Sequence, residues 1–562
     1  MPYKPTGRPT GRPRHPEPLT PAEQRVLRHL RHGKTNAEIA DELDVSPDAV
    51  KYHVSNMLGK LELESREQLA AWREPSGLRR TWSGLGGVGW KLATVAGAAV
   101  VAVGIAAGGW LVLNGGDSEA DETVDLSALA TGVLTVGIDG QPADGPSMNP
   151  SISDDGRYVA FESEATNLVK DDTNGVSDIF VIDRVDGSVI RVSVAPGGGE
   201  ANGPSHRPTI SGDGKWVAFD SEASNLVGDD HNGEVDRVLA LLPDELKPLV
   251  TSNGPYDWGP SLIGGSDVFV AQIASRTVEL VSVSSAGVRG DLGSYWPSIS
   301  RDGRYVAFES VAPSLLGGPA HPSPAVGVNP FLASDVFLRD RTEQTTTLVS
   351  HAPADEAPGT ASGRAVVSSD GSAVAFTSVR TDLAGEAGFQ ARAGYVWKRT
   401  TGELLRIPNP PAPADSDGYL FVTEIGHPAI TKGGALIAYS FSASASKRPN
   451  PEGIDVSGIF VYRSGDSLPT VVPGTEGIGQ SSLAVSFTED ERMLVFQDVE
   501  NQQHSARELD LSTGTTRSLS SGSSAPFQPV VSGDGKWIAA LQDDGGRSQN
   551  GVPVFQVIVF PR

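Results

Sequence analysis

The sequence predicts a multidomain protein with three parts: an all-α helix-turn-helix domain, a single transmembrane helix and an all-β propeller of about seven blades, or eight. Three observations support this fold class. Near the N-terminus, capping sequences open several short amphipathic helices. Residues 92–113 form an apolar stretch of 22 residues without a charge. Beyond residue 130, one hairpin motif recurs seven times.

Charge is distributed unevenly along the 562 residues, whose net charge is −24. Residues 1–88 contain 14 basic and 11 acidic residues, whereas residues 117–562 contain 30 basic and 58 acidic residues. Only the N-terminal part therefore has a charge balance suited to phosphate, and the asymmetry indicates two compartments with different partners. The absence of cysteine excludes disulfide bonds, thiolate metal sites and cysteine catalysis.

The N-terminal region predicts a disordered basic, proline-rich tail at residues 1–18 and a four-helix domain at residues 19–73. Helix starts are marked by capping sequences at Thr20, Thr35, Ser46 and Ser65. Gly33 is expected to end the first helix. The second and third helices are joined only by Asp44 and Val45, which is the short connection of a helix-turn-helix.

The third predicted helix has an apolar face and a polar face. The apolar positions are Val50, Val54, Met57, Leu58 and Leu61. The polar positions are Lys51, Tyr52, Ser55, Asn56 and Lys60. Such side chains reach base edges and phosphates, although a merely solvated helix face would look similar. These five residues and Thr35 are the candidate DNA-binding residues.

The motifs "LTPAE", "GKTNAEIA", "LDVSP" and "AVKYH" with a closing "KL" resemble the LuxR/GerE-type helix-turn-helix domain over about 55 residues. The resemblance implies that the third helix enters the major groove and that Lys51 contacts DNA. It also implies that Tyr52 and Ser55 occupy positions where family members vary their base contacts. Asp48 and Ala49 depart from the family pattern.

A juxtamembrane linker at residues 74–89 precedes a predicted transmembrane helix at residues 90–113, whose alternative is a buried Ala/Gly-rich helix of a soluble domain. Basic residues flank it on one side and acidic residues on the other: Arg73, Arg79, Arg80 and Lys91 against Asp117, Glu119, Asp121 and Glu122. The positive-inside rule then predicts a single-pass protein with a cytoplasmic N-terminus and an extracytoplasmic C-terminal part. Gly104 and Gly108 have the spacing that lets two helices approach closely, so a homodimer is a further expectation.

After an acidic linker at residues 114–130, residues 131–562 contain the repeat. Its clearest copies are "PSISDDGRYVAFES", "PTISGDGKWVAFDS" and "PSISRDGRYVAFES". Each copy is two alternating strands around an Asp-Gly turn, and most are followed by a second strand pair. Four strands per unit in tandem predict a β-propeller, and the motif resembles the TolB-like, WD40-like repeats of bacterial envelope proteins.

Two details of the propeller follow from the repeat. The last unit lacks one strand, and residues 131–137 are expected to supply it and close the ring. Residues 235–290 hold additional strand-like sequence, which makes an irregular eighth blade the alternative to seven.

One spacing of polar residues suggests a metal site. Asp172, Asn174 and Asp178 surround a Gly turn, and Asp230, Asn232 and Asp236 repeat the pattern. Oxygen ligands at alternate positions could hold calcium, whereas an Asn-Gly turn followed by a strand-start Asp also suits a plain blade loop.

The sequence predicts no enzyme and no cofactor. It contains neither a G-x-S-x-G motif nor an H-E-x-x-H motif, and its histidines are scattered. Prolyl-oligopeptidase-type enzymes carry propellers, but the accompanying hydrolase domain is missing.

Together, the parts resemble a membrane-bound one-component transcription regulator. Its expected partners are double-stranded DNA at the head, the membrane, and an extracytoplasmic ligand or protein that the propeller senses. The alternative is an envelope propeller scaffold whose helix-turn-helix is vestigial or binds protein. Salt-dependent DNA binding by residues 1–88 would separate the two.

Overall fold

A computed structural model describes isolated residues of the N-terminal part and most of the C-terminal part. The described N-terminal residues are 29, 30, 34, 35, 39, 50, 51 and 54. The described C-terminal ranges are 132–138, 140–228, 265–316, 334–351, 362–379, 383, 392–412, 420–445, 454–475, 484–500, 503–519, 527–547 and 553–562. The chain divides into two compact units, Met1–Ala98 and Ala99–Arg562.

In the first unit, the described residues confirm the predicted apolar positions Val50 and Val54. Leu30, Ile39, Val50 and Val54 are helical and buried. Lys51 is helical and exposed, although it lies next to Val50 in the sequence. This alternation is what an amphipathic helix with one face in a core requires.

Two backbone hydrogen bonds mark helix ends in this unit. The amide of Ile39 donates to the carbonyl of Thr35 at 3.0 Å, which is the first bond of a helix whose N-cap is Thr35. The amide of Lys34 donates to the carbonyl of His29 at 3.4 Å, and such a bond across five residues closes a helix C-terminus. The predicted end of one helix and start of the next are thereby confirmed around Lys34.

The second unit consists of antiparallel sheets of four strands, which form the blades of a propeller in chain order. The first strand, β1 (Gly132–Val133), belongs to the last blade. Blade 1 contains β2 (Ser147–Ile152), β3 (Tyr158–Ser163), β4 (Asp178–Asp183) and β5 (Ser188–Arg191). Blade 2 contains β6 (Ser205–Ile210), β7 (Trp216–Ser221), β8 (Asp267–Gln272) and β9 (Val278–Leu280). Blade 3 contains β10 (Ser294–Ile299), β11 (Tyr305–Ser310), β12 (Asp335–Asp340) and β13 (Thr345–Leu348).

The remaining blades follow the same order, with one extra strand in blade 5. Blade 4 contains β14 (Ser362–Val367), β15 (Ala373–Ser378), β16 (Ala393–Lys398) and β17 (Glu403–Arg406). Blade 5 contains β18 (Leu420–Ile425), β19 (Ala429–Ile430), β20 (Leu436–Ala445), β21 (Ile454–Arg463) and β22 (Thr470–Val471). Blade 6 contains β23 (Val485–Phe487), β24 (Met493–Glu500), β25 (Gln503–Asp510) and β26 (Thr515–Ser518). Blade 7 contains β27 (Phe527–Val531), β28 (Trp537–Arg547), β29 (Pro553–Pro561) and β1. Short 3₁₀ turns occur at Pro313–Leu316 and Lys432–Gly434.

The seven blades close into a ring around a central channel. Each innermost strand contacts the innermost strand of the next blade, and β2 of blade 1 contacts β27 of blade 7. The ring closes because β1 pairs with β29, with Gly132 opposite Val559 and Val133 opposite Ile558. The amide of Leu134 extends the pairing to the carbonyl of Val557 at 2.7 Å. The prediction that residues 131–137 close the ring is therefore confirmed.

The described strands within residues 235–290 belong to blade 2. The strands β8 and β9, which lie within the additional strand-like sequence, pair with β7 as the outer half of blade 2. The prediction of seven blades is therefore confirmed, and the alternative of an eighth blade in residues 235–290 does not hold, since the sheets of the described residues number seven. A long insertion between β7 and β8 had separated the two halves of one blade in the sequence.

The repeat forms each blade through a fixed set of local contacts. In blade 1 the carboxylate of Asp155 accepts hydrogen bonds from the hydroxyl of Ser153 at 2.6 Å and the amide of Arg157 at 2.9 Å. Gly156 completes this turn with a φ of 70°. Behind the turn, Phe161 stacks on a ring from the next strand, as the corresponding aromatic pairs do in blades 2 to 5.

Within the described ranges, no helix is long and apolar enough to span a lipid bilayer. The predicted span at 90–113 lies outside those ranges, as do the tail at 1–18 and the linkers at 74–89 and 114–130.

Candidate ligand site at the channel mouth

The two ends of the channel differ because every innermost strand runs in the same direction. At one end lie the Asp-Gly turns that follow the innermost strands, and here charged side chains from three blades meet. Arg301 of blade 3 contacts Asp154 of blade 1 at 2.6 Å and Glu489 of blade 6 at 3.7 Å. These ion pairs cross the channel, so this end is occupied by protein side chains.

The other end, called here the mouth, is where the innermost strands begin. In five of these strands a bulge residue has φ in the left-handed region. These residues are Asn149 (51°), Arg207 (53°), Trp296 (55°), Arg364 (56°) and Gln528 (51°). Each left-handed residue costs on the order of 1–3 kcal/mol. Four of the five precede a proline, which further disfavours helical backbone angles at the preceding residue.

Side chains of the preceding blade hold this strained backbone. The amide of Arg207 donates to Glu162 at 2.5 Å, and the amide of Trp296 donates to Asp220 at 3.3 Å. The amide of Arg364 donates to Glu309 in the same way. Since these carboxylates are buried, the bonds compensate for part of their desolvation.

Planar side chains from three blades stack at the mouth. The guanidinium carbon of Arg207 lies 4.7 Å from the centroid of the Trp296 ring. The Trp296 ring lies 4.6 Å from the His427 ring, with 34° between the planes. Trp296 belongs to blade 3 and His427 to blade 5, so this contact passes over blade 4. All three side chains are partly exposed.

Three arginines converge here, and two of them are paired with carboxylates. Arg207 makes two hydrogen bonds to Asp220 at 2.9 and 2.7 Å. Arg364 binds Glu424 at 3.0 Å and also donates to the carbonyl of Ile425. A pair of this kind is planar and charge-assisted, which fixes the orientation of each guanidinium.

The third arginine, Arg392, makes no hydrogen bond or ion pair with any residue that the structure describes. It directly precedes β16 and is half-buried. Burial lowers the pKa of Arg392, and the positive charge of Arg364 lowers it further. We refer to Arg207, Trp296, Arg364, Arg392, Glu424 and His427 as the mouth cluster.

Burial dominates the protonation of two groups at the mouth, and the arginine charges add to its effect at one of them and oppose it at the other. Burial, followed by the charges of Arg364 and Arg207, lowers the pKa of His427 to about 3, so this imidazole is neutral at physiological pH. Burial raises the pKa of Glu309 to about 7, against the opposing effect of Arg364. Fixed cations and a neutral aromatic stack suit a planar anion.

The residues of the calcium hypothesis are only partly within the described ranges. Asp172, Asn174 and Asp178 do come together, but the cation between the two carboxylates is the guanidinium of Arg191, which lies 3.1 Å from each. Glu200, which was not among the candidates, also contacts Arg191 at 3.1 Å. Asp230, Asn232 and Asp236 lie outside the described ranges, and within those ranges no group of three or more His, Asp or Glu residues is placed to hold a metal.

Of the candidate DNA-binding residues, two are described. Lys51 is exposed on a helix, and Thr35 is an exposed residue at a helix start. Tyr52, Ser55, Asn56 and Lys60 lie outside the described residues, so the DNA contacts stay predictions.

The mouth cluster was not predicted from the sequence, because its members come from four blades that are distant in the chain. A usable signal was present: in the five hairpin copies that begin with proline, the residue before that proline varies, while the motif after it is similar from copy to copy. A variable position inside an otherwise repeated motif indicates a place where blades differ in function rather than in packing.

Comparison with known proteins identifies the N-terminal domain. Residues 17–73 match the family described as bacterial regulatory proteins, luxR family. The nitrate/nitrite response regulator protein NarL of Escherichia coli K12 is 43% identical over 54 residues, which are 10% of this chain and 25% of that protein. The uncharacterized transcriptional regulatory protein YhcZ of Bacillus subtilis 168 is 50% identical over 52 residues, or 9% of this chain and 24% of that protein. The chain thus spans about a quarter of the length of these relatives.

Solved structures also match this chain, at low sequence identity. TolB from Acinetobacter baumannii has a TM-score of 0.29 and 12% identity, covering 65% of this chain and 81% of that one. Oligogalacturonate lyase from Vibrio parahaemolyticus has a TM-score of 0.40 and 10% identity, covering 76% and 95%. The family match and the sheet topology together show that this chain carries a luxR-family helix-turn-helix domain at residues 17–73, followed by a seven-bladed β-propeller.

Proposed function

We propose that this protein is a membrane-anchored transcription regulator that binds DNA through its luxR-type domain and is controlled by a ligand of its propeller. The observation that carries the proposal is the presence in one chain of a luxR-family domain and a closed propeller with a strained polar cluster at one end of its channel. Neither part contributes an enzymatic step in this proposal.

The luxR-type domain would read DNA with the third helix. The described residues support this role, since Val50 and Val54 are buried in the domain and Lys51 faces solvent between them. A cation on the exposed face of this helix can contact a phosphate or a base edge in the major groove.

The propeller would be the ligand-binding part, on the far side of the membrane. The apolar segment at 92–113 and the change from basic to acidic flanks support an extracytoplasmic position. Strained backbone held by buried carboxylates supports the mouth as the binding site, because such strain is found where a side chain must be presented in one orientation.

Genome-wide mapping of the sites bound by the full-length protein tests the regulator proposal. We expect a small set of promoter sites that disappears in the Lys51→Ala variant, while the amount of protein stays unchanged. Binding that is identical in both proteins, or absent from both, would favour the alternative of a propeller scaffold without a DNA-reading role.

A further inference from the structure

Among the described residues, one of the three arginines of the mouth cluster lacks the carboxylate partner that the other two have. Arg207 is paired with Asp220 and Arg364 with Glu424. Arg392 has neither an ion pair nor a hydrogen bond within the described part of the chain. A half-buried guanidinium without such a partner is unfavourable, because its donors have lost part of their water and gained nothing in return.

The position of Arg392 is also unusual among the blades. The residue at the same place, directly before the third strand of the sheet, is Ser177 in blade 1, Ser266 in blade 2 and Ser334 in blade 3. All three serines are buried, and Ser334 donates to the carbonyl of Ser362 at 3.0 Å. Blade 4 therefore has a long cation at the position where blades 1 to 3 have a small buried hydroxyl.

The surroundings of Arg392 define the group that fits it. Arg364 and Glu424 act electrostatically on Arg392, and so does Glu309, whose charge is diminished at neutral pH. Among the three guanidiniums, Arg392 is the one whose donors are not already bonded to a described carboxylate of the mouth. A doubly charged phosphate would also meet the carboxylates of Asp220 and Glu424, whereas a single planar carboxylate matches the fork of a guanidinium.

We propose that the channel mouth binds a ligand through a carboxylate group held by Arg392, with the Trp296–His427 stack contacting the adjoining part of the ligand. This inference rests on the proposed function in taking the propeller as the ligand-binding part, and it adds the chemical class of the ligand. The neutral His427 ring presents no charge to compete for the carboxylate, so the anion is directed to the arginines.

The experiment distinguishes two sources of the carboxylate, a peptide C-terminus and an acidic sugar. The probes are trialanine and glucuronate, each compared with its neutral amide, in calorimetric titrations of the full-length protein in detergent. We expect at least one carboxylate to bind about tenfold or more tightly than its amide, since a charge-assisted hydrogen bond replaces a neutral one. The source that shows this preference is the class of ligand.

The variants assign the preference to the mouth. Arg392→Gln should abolish it, and Arg392→Lys should keep part of it because the charge remains. Arg276→Gln is the matched control, since Arg276 is an exposed arginine in the β8–β9 turn at the opposite end of the blades. A shift of the melting temperature in Arg392→Gln is compared with that in Arg392→Lys, which preserves the charge and most of the volume.

Several results would overturn the inference. They are equal binding of carboxylate and amide for both sources, a preference that persists in Arg392→Gln, and a loss that is as large in Arg276→Gln. DNA binding is measured on the same preparations. Loss of the carboxylate preference with normal DNA binding refutes only the ligand class, and normal carboxylate binding without DNA binding refutes only the regulator proposal.

Discussion

The guanidinium of Arg184, in the first blade, lies 4.1 Å from the centroid of the Trp537 ring in the last blade. Arg184 also donates to the carbonyl of Gly156 at 2.6 Å, and a Cβ atom placed on Gly156 would overlap the same indole. One aromatic ring is thus enclosed by a cation and a glycine turn of the neighbouring blade. The arrangement recurs around Trp216 and Tyr305, whose partners are Arg341 with Gly303 and Arg399 with Gly371.

The glycine of this contact can be tested with a matched pair of substitutions in one blade. Gly156 and Gly187 have φ of 70° and 69°, but only Gly156 faces a neighbour, since a Cβ on Gly187 would meet no atom within 4 Å. Gly187→Ala should cost about 1–2 kcal/mol from backbone strain alone. Gly156→Ala should cost about 1–3 kcal/mol more because the new methyl displaces the Trp537 ring.

Thermal unfolding of the two variants measures the difference. A lower melting temperature for Gly156→Ala than for Gly187→Ala is the expected order. Equal losses would mean that the ring of Trp537 adapts without cost, and that the contact between blades 1 and 7 does not depend on the glycine.

Closure of the ring is expected to stabilise the propeller strongly. β1 covers the outer edge of β29. The buried hydroxyl of Thr135 donates to the side chain of Gln556 and accepts from the amide of Val557. Deleting residues 131–137 should therefore lower the melting temperature much more than deleting 117–125, because it leaves an unpaired edge and buried polar groups. The two deletions are similar in length, so equal shifts would show that β1 contributes little.

The sequence predicted the blades well because each blade is specified locally. The Ser-x-Asp-Gly turn, the alternating strands and the aromatic at the strand centre all lie within about 14 residues. At blade 2 it left seven and eight blades open, because a long insertion separates β7 from β8 and the two halves of one sheet look like parts of two.

The mouth cluster could not be derived from the sequence for a different reason. Trp296 and His427 meet only because the ring closes, and nothing local to either residue encodes that contact. The left-handed conformation at Arg207 and Trp296 is also hidden, since a residue before proline is normally expected to be extended. Carboxylates of the preceding blade override that preference, and they are distant in the sequence.

At the opposite end of the channel, Asp154 should make stability depend on pH. Burial raises its pKa from 3.8 to about 6, and the pairing with Arg301 only partly opposes this. Between about pH 4 and 6 the folded protein therefore binds more protons than the unfolded chain, so this carboxyl lowers stability as pH rises through that window. Asn at this position cannot ionise. The free energy of unfolding of Asp154→Asn should therefore rise relative to that of the wild type by up to about 3 kcal/mol between pH 4 and pH 7.

Chemical unfolding of both proteins at several pH values between 4 and 7 measures this gain. A difference between variant and wild type that stays constant across the range would show that Asp154 ionises in the folded protein as it does in the unfolded chain.

In the luxR-type domain, substitutions at two adjacent residues should change two different properties, DNA binding and stability. Lys51 is exposed and Val50 is fully buried. Lys51→Ala should weaken binding to any DNA sequence and reduce the salt dependence by about one counterion, with little change in melting temperature. Val50→Ala should destabilise the domain by about 2 kcal/mol through the cavity it leaves. Electrophoretic mobility shifts at several salt concentrations, together with thermal unfolding, distinguish the two effects, and an unchanged salt slope in Lys51→Ala would remove this residue from the DNA interface.

The last prediction concerns how ligand binding outside the membrane could reach the DNA. A single helix-turn-helix domain makes few base contacts, and such domains usually act as dimers on two half-sites about one helical turn apart. In the proposed topology, pairing would be imposed by the membrane segment, where Gly104 and Gly108 allow close approach of two helices. Two tethered heads have an effective concentration of roughly millimolar, which converts weak binding of each head into occupancy of a double site.

Gly104→Ile combined with Gly108→Ile should therefore reduce regulation in cells while membrane insertion is retained, because the larger side chains keep the helices apart. Ala93→Ile combined with Gly97→Ile, at the other small-residue pair of the segment, shows whether the effect is specific to one face. Fusing residues 1–88 to a soluble leucine zipper should restore operator binding without any membrane. If residues 1–88 alone bind the operator as tightly as the zipper fusion does, pairing is not the step that the ligand controls, and the signal must instead change the head itself.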